Sequence, residues 1–352
     1  MGTNWETADV LKTPMEICWQ FDYEIGIDKL RNLYSKSKRA QWDAEQDLDW
    51  SIPIDPSRPL IEEDRFGLER LPYFQKLSQT KREAFRAHMT AYQLSQFLHG
   101  EQGALMTAAA LTHAVPDYEG KLYAATQTMD EARHVEVYER YVRKLAIVYP
   151  MGVWLKQLID DTLTSDHWVK IAIGMNMVVE GLALASFHNM RRATTCDLLR
   201  ALTDLVLRDE SRHVAFGNVY VGDAISQMNE DEREDIAQFA FECVKMMVSA
   251  NRSGRGAVGA DPGFLKVLEN ADIEAGELFL AIKEAREQGH RVEPPSDSVH
   301  AFKDLMMPAL VRVGAVTDRT RALYLEEKIP IFEDSTLLES LEDSDTGIID
   351  LH

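Results

Sequence analysis

Apolar residues recur at helical spacing along most of this chain, and no segment shows the apolar–polar alternation that is typical of strands. The pattern predicts a helix within residues 15–41, followed by a Pro-rich connection, and later helices near 229–252, 272–288 and 297–326. Asn229 precedes three acidic residues, which favours a helix start there because acidic side chains interact well with a helix N-terminus. The fold class that follows is all-α.

Two long helical hairpins are predicted in the middle of the chain. Residues 80–114 and 118–149 form the first hairpin, and residues 166–192 and 196–227 form the second. Short turn-forming stretches separate the two halves of each pair. We therefore expect four long antiparallel helices with additional helices on both sides of them in sequence.

One short motif occurs twice, once in each hairpin. It reads Asp130-Glu131-Ala132-Arg133-His134 in the first and Asp209-Glu210-Ser211-Arg212-His213 in the second. A lone glutamate lies 30 residues before the glutamate of each motif, and these are Glu101 and Glu180. All three paired positions differ by the same 79 residues, so the chain carries an internal repeat.

The spacing places the glutamates of each hairpin at the same depth. Pro116 lies midway between Glu101 and Glu131, and Thr195 lies midway between Glu180 and Glu210. Each glutamate is therefore about 15 residues from its turn, or ~22 Å along a helix. Glutamate and histidine three residues apart also point to one face of a helix.

These positions predict a ferritin-like four-helix bundle with additional N- and C-terminal helices and a dinuclear metal site. Four carboxylates carry a charge of −4, which two divalent cations neutralise. Oxygen and imidazole ligands suit iron or manganese, so we expect two iron ions or a manganese–iron pair. The predicted ligands are Glu101, Glu131, His134, Glu180, Glu210 and His213.

Several neighbouring residues are expected to support the ligands. A metal-bound histidine usually donates its other N–H to a carboxylate, so Asp130 and Asp209 are expected to accept from the histidine of the opposite hairpin. Arg133 and Arg212 would neutralise those aspartates. The amides of Gln127 and Asn176 are candidate polar contacts, and the small side chains of Ala104 and Ala183, with Phe187, indicate either a cavity or close helix packing.

Composition narrows the partners and the domain organisation. The net charge of −20 argues against nucleic-acid binding, which needs a basic patch. Three cysteines far apart, without a visible signal peptide or membrane-spanning apolar run, favour a reduced cytoplasmic setting without membrane insertion. We expect one domain over residues 1–332, with the metal-binding core at about 80–227 and an acidic, disordered tail over 333–352.

At the two repeated motifs the chain resembles the ferritin-like di-iron carboxylate superfamily. Over roughly residues 80–225 it looks most like the hydroxylase subunits of bacterial multicomponent monooxygenases, with the small subunit of ribonucleotide reductase as a second relative. The resemblance implies the six metal ligands named above and activation of O₂. It also implies a small organic substrate and an external electron donor such as a ferredoxin or a reductase.

Three positions depart from the patterns of related families. Leu184 stands where the monooxygenases carry a threonine four residues after the third glutamate. Val206 stands where the arylamine N-oxygenases carry an additional histidine. Asp130 stands where soluble acyl-carrier-protein desaturases carry a glutamate. The reaction therefore stays open between hydroxylation, N-oxygenation and desaturation.

Tyr138 is the candidate redox residue. It lies four residues after His134, where ribonucleotide reductase small subunits carry their radical tyrosine, and the repeat has Gly217 at the equivalent position. We consider three interpretations of Tyr138: a core tyrosine, a residue that lines or gates the substrate pocket, and a redox-active residue. The leading functional hypothesis is a di-iron monooxygenase or oxidase, expected to be a homodimer. The alternatives are a radical-generating subunit that serves a larger partner and a ferritin-type protein that oxidises iron.

Overall fold

The computed structural model describes residues 9–55, 60–61, 67–252, 261–289 and 298–343. Within these ranges the secondary structure is helical and no strand is present. The structure therefore confirms the all-α helical bundle.

The N-terminal part of the chain has less helix than predicted. Helix α1 spans Asp28–Arg39, a 3₁₀ turn spans Gly67–Arg70, and the short α2 spans Pro72–Gln75. The prediction of helix from residue 15 is wrong, since residues 9–27 are not helical. The expectation that no segment alternates is wrong here as well, because the apolar residues of this stretch follow a period of two and not helical spacing. These are Ile17, Trp19, Phe21, Tyr23 and Ile25, and all are exposed.

The two predicted hairpins are present. Helices α3 (Gln79–Ala114) and α4 (Tyr118–Leu145) form the first, and α6 (Trp168–Ala193) and α7 (Asp197–Gln227) form the second, with α5 (Val153–Leu163) between them. Both turns fall at the midpoints that the glutamate spacing indicates. The sequence pattern missed α5 because an 11-residue segment between two breaks gives a weak periodic signal.

The hairpins share one hydrophobic core. Tyr123 of α4 stacks on Phe216 of α7 with ring centroids 4.5 Å apart. Helix α1 crosses the bundle and packs against both α4 and α7. This crossing brings the end of the N-terminal segment to the helices that carry the two repeated motifs.

Helix α6 contains a π-helical segment over Ile173–Val179, directly before Glu180. Such segments are rare and often lie at functional sites, since the wider turn redirects the side chains. Here the segment carries Asn176 on its inner side, where that side chain is fully buried. The repeat is therefore not symmetric in structure, because α3 runs as a regular α-helix through the equivalent region.

The C-terminal third packs further helices around the bundle. Glu232 N–H donates to Asn229 Oδ1 and Asn229 N–H donates to Glu232 Oε2, which caps the predicted helix start. The predicted helix over 297–326 is interrupted, because Gly314 adopts φ +81° and Thr317 caps a new helix. The elements are α8 (Glu230–Arg252), α9 (Pro262–Asn270), α10 (Ala275–Glu287), a π-helix (Ala301–Met306) that continues as α11 (Met307–Arg312), α12 (Asp318–Glu326) and α13 (Thr336–Asp343).

The start of the acidic tail is ordered, in contrast to the expectation. Residues 336–343 form α13, and its Leu338 is fully buried. The two adjacent leucines supply apolar area that offsets the entropy cost of ordering this segment. Residues 344–352 lie outside the described residues.

Helix α6 is long and apolar enough to cross a membrane by length and composition alone. However, 83% of its most apolar window is buried inside the fold. This burial is typical of the core helix of a soluble protein.

Candidate metal centre

The six predicted ligand residues meet at the middle of the bundle. Glu101 comes from α3, Glu180 from α6, and each repeated motif supplies one glutamate and one histidine from α4 and α7. All six are buried, with 0–4% of their surface exposed. The helix register predicted from the sequence is thus the register of the fold.

Their donor atoms form two overlapping groups. In one group, atoms of Glu101, Glu131, His134 and Glu210 lie within 4.8 Å of one another. In the other, atoms of Glu131, Glu180 and His213 do so. Glu131 belongs to both groups, so its carboxylate would help to hold both metal ions.

Each histidine turns the same ring nitrogen toward the carboxylates. His134 Nδ1 lies 3.2 Å from Glu101 Oε2 and 3.1 Å from Glu210 Oε1. His213 Nδ1 lies 3.0 Å from Glu131 Oε1 and 3.6 Å from Glu210 Oε2. In both residues Nδ1 is therefore the atom available to a cation.

The opposite ring nitrogens point to aspartates across the bundle. His134 Nε2 lies 3.1 Å from Asp209 Oδ2, and His213 Nε2 lies 3.4 Å from Asp130 Oδ2. An Nε2–H that donates to the aspartate leaves the Nδ1 lone pair free, so this contact selects the tautomer that binds metal. Each hairpin thus orients the histidine of the other.

The arginines of the motifs neutralise these aspartates. Arg133 Nη2 contacts Asp130 and also lies 3.3 Å from Asp209 Oδ2, while Arg212 pairs with Asp209. Arg133 is 5% exposed, so its charge acts in an environment with little solvent screening.

Three residues near the end of α1 complete this layer, and the sequence pattern gave no signal for them. Trp42 Nε1 donates to Asp209 Oδ2 at 2.7 Å, and Gln41 Nε2 donates to Asp130 Oδ1 at 2.7 Å. Arg212 Nε donates to Ser37 Oγ at 3.2 Å. No spacing rule connects residues 37–42 to the motifs, since only the crossing of α1 over the bundle brings them together.

Two amides, Asn176 of the π-helix and Gln127 of α4, hold Glu180. Gln127 Nε2 donates to Glu180 Oε1 at 2.6 Å, and Asn176 Nδ2 donates to Glu180 Oε2 at 3.0 Å. Asn176 Nδ2 also donates to Gln127 Oε1 at 3.1 Å, which orients both amides. Glu101 Oε2, in contrast, faces His134 Nδ1 at 3.2 Å and not an amide. The two halves of the centre are therefore chemically different.

The charge distribution of the cluster fits two divalent cations. In the protein alone, burial raises the pKa of Glu101 and of Glu180 well above the usual range of a carboxyl. Four carboxylates buried this closely repel one another, and they ionise together only where cations offset the repulsion. Two buried donor atoms of the cluster, Glu210 Oε1 and His213 Nδ1, also lack a hydrogen-bond partner among the described residues. The donor set therefore fits the pair of metal ions that the sequence predicts.

A cavity of about 120 Å³ lies beside the cluster, between α3, α5 and α6. Its wall includes Glu101, Glu180 and Glu210, so it reaches the carboxylates directly. Ala104, Ala183 and Phe187 also line the cavity. Of the two interpretations of these positions, a cavity or close helix packing, the structure shows the cavity. The sequence did not indicate Trp154 or Leu158, because both come from the undetected α5.

Tyr138 lies next to the cavity wall. Its ring stacks on Phe187 at 5.8 Å and meets the edge of Phe97 at 5.8 Å. The Tyr138 hydroxyl is buried and has no hydrogen-bond partner among the described residues, and burial raises the pKa of this phenol well above its usual value. Leu184 and Val206 are fully buried and carry no donor atom.

Solved structures of R2-like ligand-binding oxidase are similar to this chain. A variant with an aerobically reconstituted Mn/Fe cofactor is 18% identical, with a TM-score of 0.46, and the match covers 78% of this chain and 96% of that chain. Another preparation of the oxidase is 18% identical, with a TM-score of 0.44, and the match covers 89% of this chain and 95% of that chain. These similarities are too distant to bear on function. No curated protein matches the chain.

The family model of the p-aminobenzoate N-oxygenase AurF matches residues 27–258. The matched range contains both motifs, both lone glutamates and α1, which supplies part of the layer around the aspartates. It confirms the ferritin-like di-iron superfamily indicated by the repeated motifs, although Val206 stands where the arylamine N-oxygenases have a further histidine. The chain belongs to the p-aminobenzoate N-oxygenase AurF family and is a non-haem di-iron-type oxidoreductase.

Proposed function

We propose that the chain oxidises a small organic substrate with O₂ in the cavity beside the cluster. The six buried residues Glu101, Glu131, His134, Glu180, Glu210 and His213 would bind the two metal ions. The observation that carries this proposal is the cavity wall, since three of the six carboxylate and imidazole residues form part of it. A molecule in the cavity would therefore touch the metal-binding carboxylates.

The metal pair, when bound, supplies the redox chemistry and the activation of O₂. The protein orients the metal-binding side chains and keeps water away from them. Asp130 and Asp209 orient the two imidazoles, while Gln127 and Asn176 hold Glu180. The apolar wall excludes water, which protects reactive species from side reactions.

Insertion of one oxygen atom from O₂ also needs two electrons and two protons, and the second oxygen atom leaves as water. We propose that a ferredoxin or a reductase supplies these electrons. We further propose that the protein works in the cytoplasm as a homodimer.

The test compares two glutamates of α4. The iron-loaded, reduced protein is mixed with O₂, and O₂ consumption and metal content are measured. We expect Glu131→Gln to lose metal and O₂ consumption, because Glu131 belongs to both donor groups. Glu136→Gln is the matched control, since Glu136 is exposed on the same helix. Unchanged metal binding in Glu131→Gln would refute the proposal. The proposal would also fail if the reduced wild type did not consume O₂.

Tyr138 favours a second candidate function, a subunit that stores a radical for a larger partner. The observation behind it is the buried hydroxyl without a partner, close to Glu101. EPR after exposure of the reduced protein to O₂ tests this candidate. A tyrosyl signal that disappears in Tyr138→Phe would support it, and a silent spectrum in the wild type would remove it.

A further inference from the structure

The cavity has a wall that limits the chemistry of its occupant. Among the described residues that line it, the charged ones are Glu101, Glu180 and Glu210, and none is Lys, Arg or His. The rest of the wall is mainly apolar, with Phe97, Trp154, Leu155, Leu158, Leu182 and Phe187. An anion placed here would lose its hydration without gaining a cationic partner, and burial of an unpaired charge is strongly unfavourable.

The binding of two divalent cations does not make the cavity favourable for an anion. The four carboxylates of the cluster match the charge of two such ions, so the centre as a whole has no surplus positive charge for a substrate carboxylate. The arginines of the two motifs, Arg133 and Arg212, pair with Asp130 and Asp209 on the other side of the imidazoles. They are not part of the cavity wall.

The side chains of Gln96 and Ser186 in the wall use their donors within the protein. Gln96 Nε2 donates to Pro150 O at 3.0 Å and to Tyr92 O at 3.3 Å, and Gln96 Oε1 accepts from Gly152 N–H at 2.7 Å. Ser186 Oγ donates to Leu182 O at 2.8 Å. The backbone N–H groups of α3 and α6 at the wall serve those helices themselves, whereas the N–H groups of Trp154 and Leu155, in the first turn of α5, have no partner within their helix. Apart from these N–H groups and the indole N–H of Trp154, all of them neutral, the wall offers an occupant a set of acceptor oxygens, which suits a neutral molecule that donates.

The volume sets the size of that molecule. A cavity of about 120 Å³ is comparable to the engineered apolar cavity of roughly 150 Å³ that binds benzene. One aromatic ring or a short aliphatic chain therefore fills it. Building on the proposed function, we propose that the substrate is a neutral, apolar molecule of this size, with an amine or hydroxyl donor directed at the carboxylates. A carboxylate-bearing arylamine such as p-aminobenzoate is then a poor substrate for this chain.

Anilines that differ in the charge of their para substituent test the preference for a neutral occupant. The ligands are 4-methylaniline, 4-aminobenzoate and the neutral 4-nitroaniline, which has the shape of 4-aminobenzoate and should bind more tightly than it. Their binding to the iron(II)-loaded protein is measured by anaerobic calorimetry at pH 7. We expect 4-methylaniline to bind at least tenfold more tightly than 4-aminobenzoate. Equal or tighter binding of 4-aminobenzoate would overturn the proposal, and so would the failure of both neutral compounds to bind.

Substitutions in the wall locate the binding. A Cβ atom on Gly100 meets nothing within 4 Å, so Gly100→Leu extends into the cavity space and should weaken 4-methylaniline binding at least tenfold. Gly276→Leu is the matched control, since a Cβ atom there also meets nothing within 4 Å and Gly276 lies on α10, away from the cavity. Metal content monitors folding in both variants. Equal binding by both variants would place the ligand elsewhere and refute the assignment.

A substitution in the wall can also reverse the expected preference for neutral over anionic ligands. Ser186→Arg places a cation in the wall and should raise the affinity for 4-aminobenzoate at least tenfold relative to Ser186→Met, which adds bulk without charge. Equal affinities of the two variants would contradict that preference. Binding is measured without turnover, so these results are separate from those on O₂ consumption, which test the proposed function.

Discussion

A Cβ atom on Gly217 would lie 2.9 Å from the Cβ atom of Asn176. Real Cβ atoms do not approach this closely, so the absence of a side chain at residue 217 makes room for the π-helical turn that carries Asn176. The difference between Tyr138 and Gly217 in the repeat thus has a packing cause. One half of the centre holds an aromatic ring at this position, and the other holds an amide that binds Glu180.

Gly217→Ala should lower stability, although alanine is the better helix former. The added methyl group must displace Asn176, and overpacking of this kind costs about 1–3 kcal/mol, against a helix gain of about 1 kcal/mol. Gly222→Ala on the same helix is the control, because its Cβ atom would lie 3.7 Å from Val313 Cγ1, an ordinary contact. We expect thermal unfolding to show a lower Tm for Gly217→Ala and an equal or higher Tm for Gly222→Ala. The opposite order would contradict the packing argument.

Asp209→Asn should weaken metal binding. Asp209 accepts from His134 and from Trp42, so loss of its charge removes the group that orients one proposed ligand. Loss of such a partner typically lowers metal affinity about 10–100-fold. Metal titration of Asp209→Asn against Asp197→Asn measures the effect, since Asp197 is exposed at the start of the same helix. Equal affinities in the two variants would show that His134 needs no partner.

Tyr138→Phe should not destabilise the protein. The Tyr138 hydroxyl has no hydrogen-bond partner among the described residues, and removal of an unpaired buried hydroxyl raises the free energy of unfolding by about 1 kcal/mol. Tyr220→Phe should have the opposite effect, because Tyr220 is also buried but donates to Asp117 Oδ2 at 2.6 Å. Denaturant unfolding of both variants checks this. A loss of stability in Tyr138→Phe would reveal a partner of its hydroxyl in solution.

His188 should make stability depend on pH. Burial, together with the charges of Arg191 and Arg192, lowers the pKa of His188 to about 4. As the pH falls, His188 therefore takes up a proton near pH 6.5 in the unfolded chain but only near pH 4 in the folded protein. The stability contributed by the neutral imidazole is present above pH 6.5, is lost as the pH falls to 4, and amounts to about 3 kcal/mol.

Unfolding measured at pH 7 and at pH 4 tests this dependence. His188→Gln should lose less stability on acidification than the wild type, whereas His300→Gln, with an exposed side chain, should behave like the wild type. Parallel losses in all three proteins would exclude His188 as the source.

Most of the bundle could be predicted because its signals are local. The 3.6-residue period marks the four long helices, and equal distances from Pro116 and Thr195 set the depth of the four glutamates. The failures also have local causes. Residues 15–27 alternate with a period of two, and the positive φ of Gly314 breaks a helix that hydropathy alone would continue.

The sequence by itself determined the hairpins, the six buried donors and the exchange of histidine–aspartate contacts between hairpins, because helix geometry converts spacing into position. Only the tertiary structure decided three other features. The crossing of α1 brings Trp42 and Gln41 to the aspartates, the π-helix places Asn176 against Glu180, and α5 supplies one wall of the cavity beside the carboxylates. Each of these depends on contacts between segments far apart in the chain, and no periodicity along a single segment records such contacts.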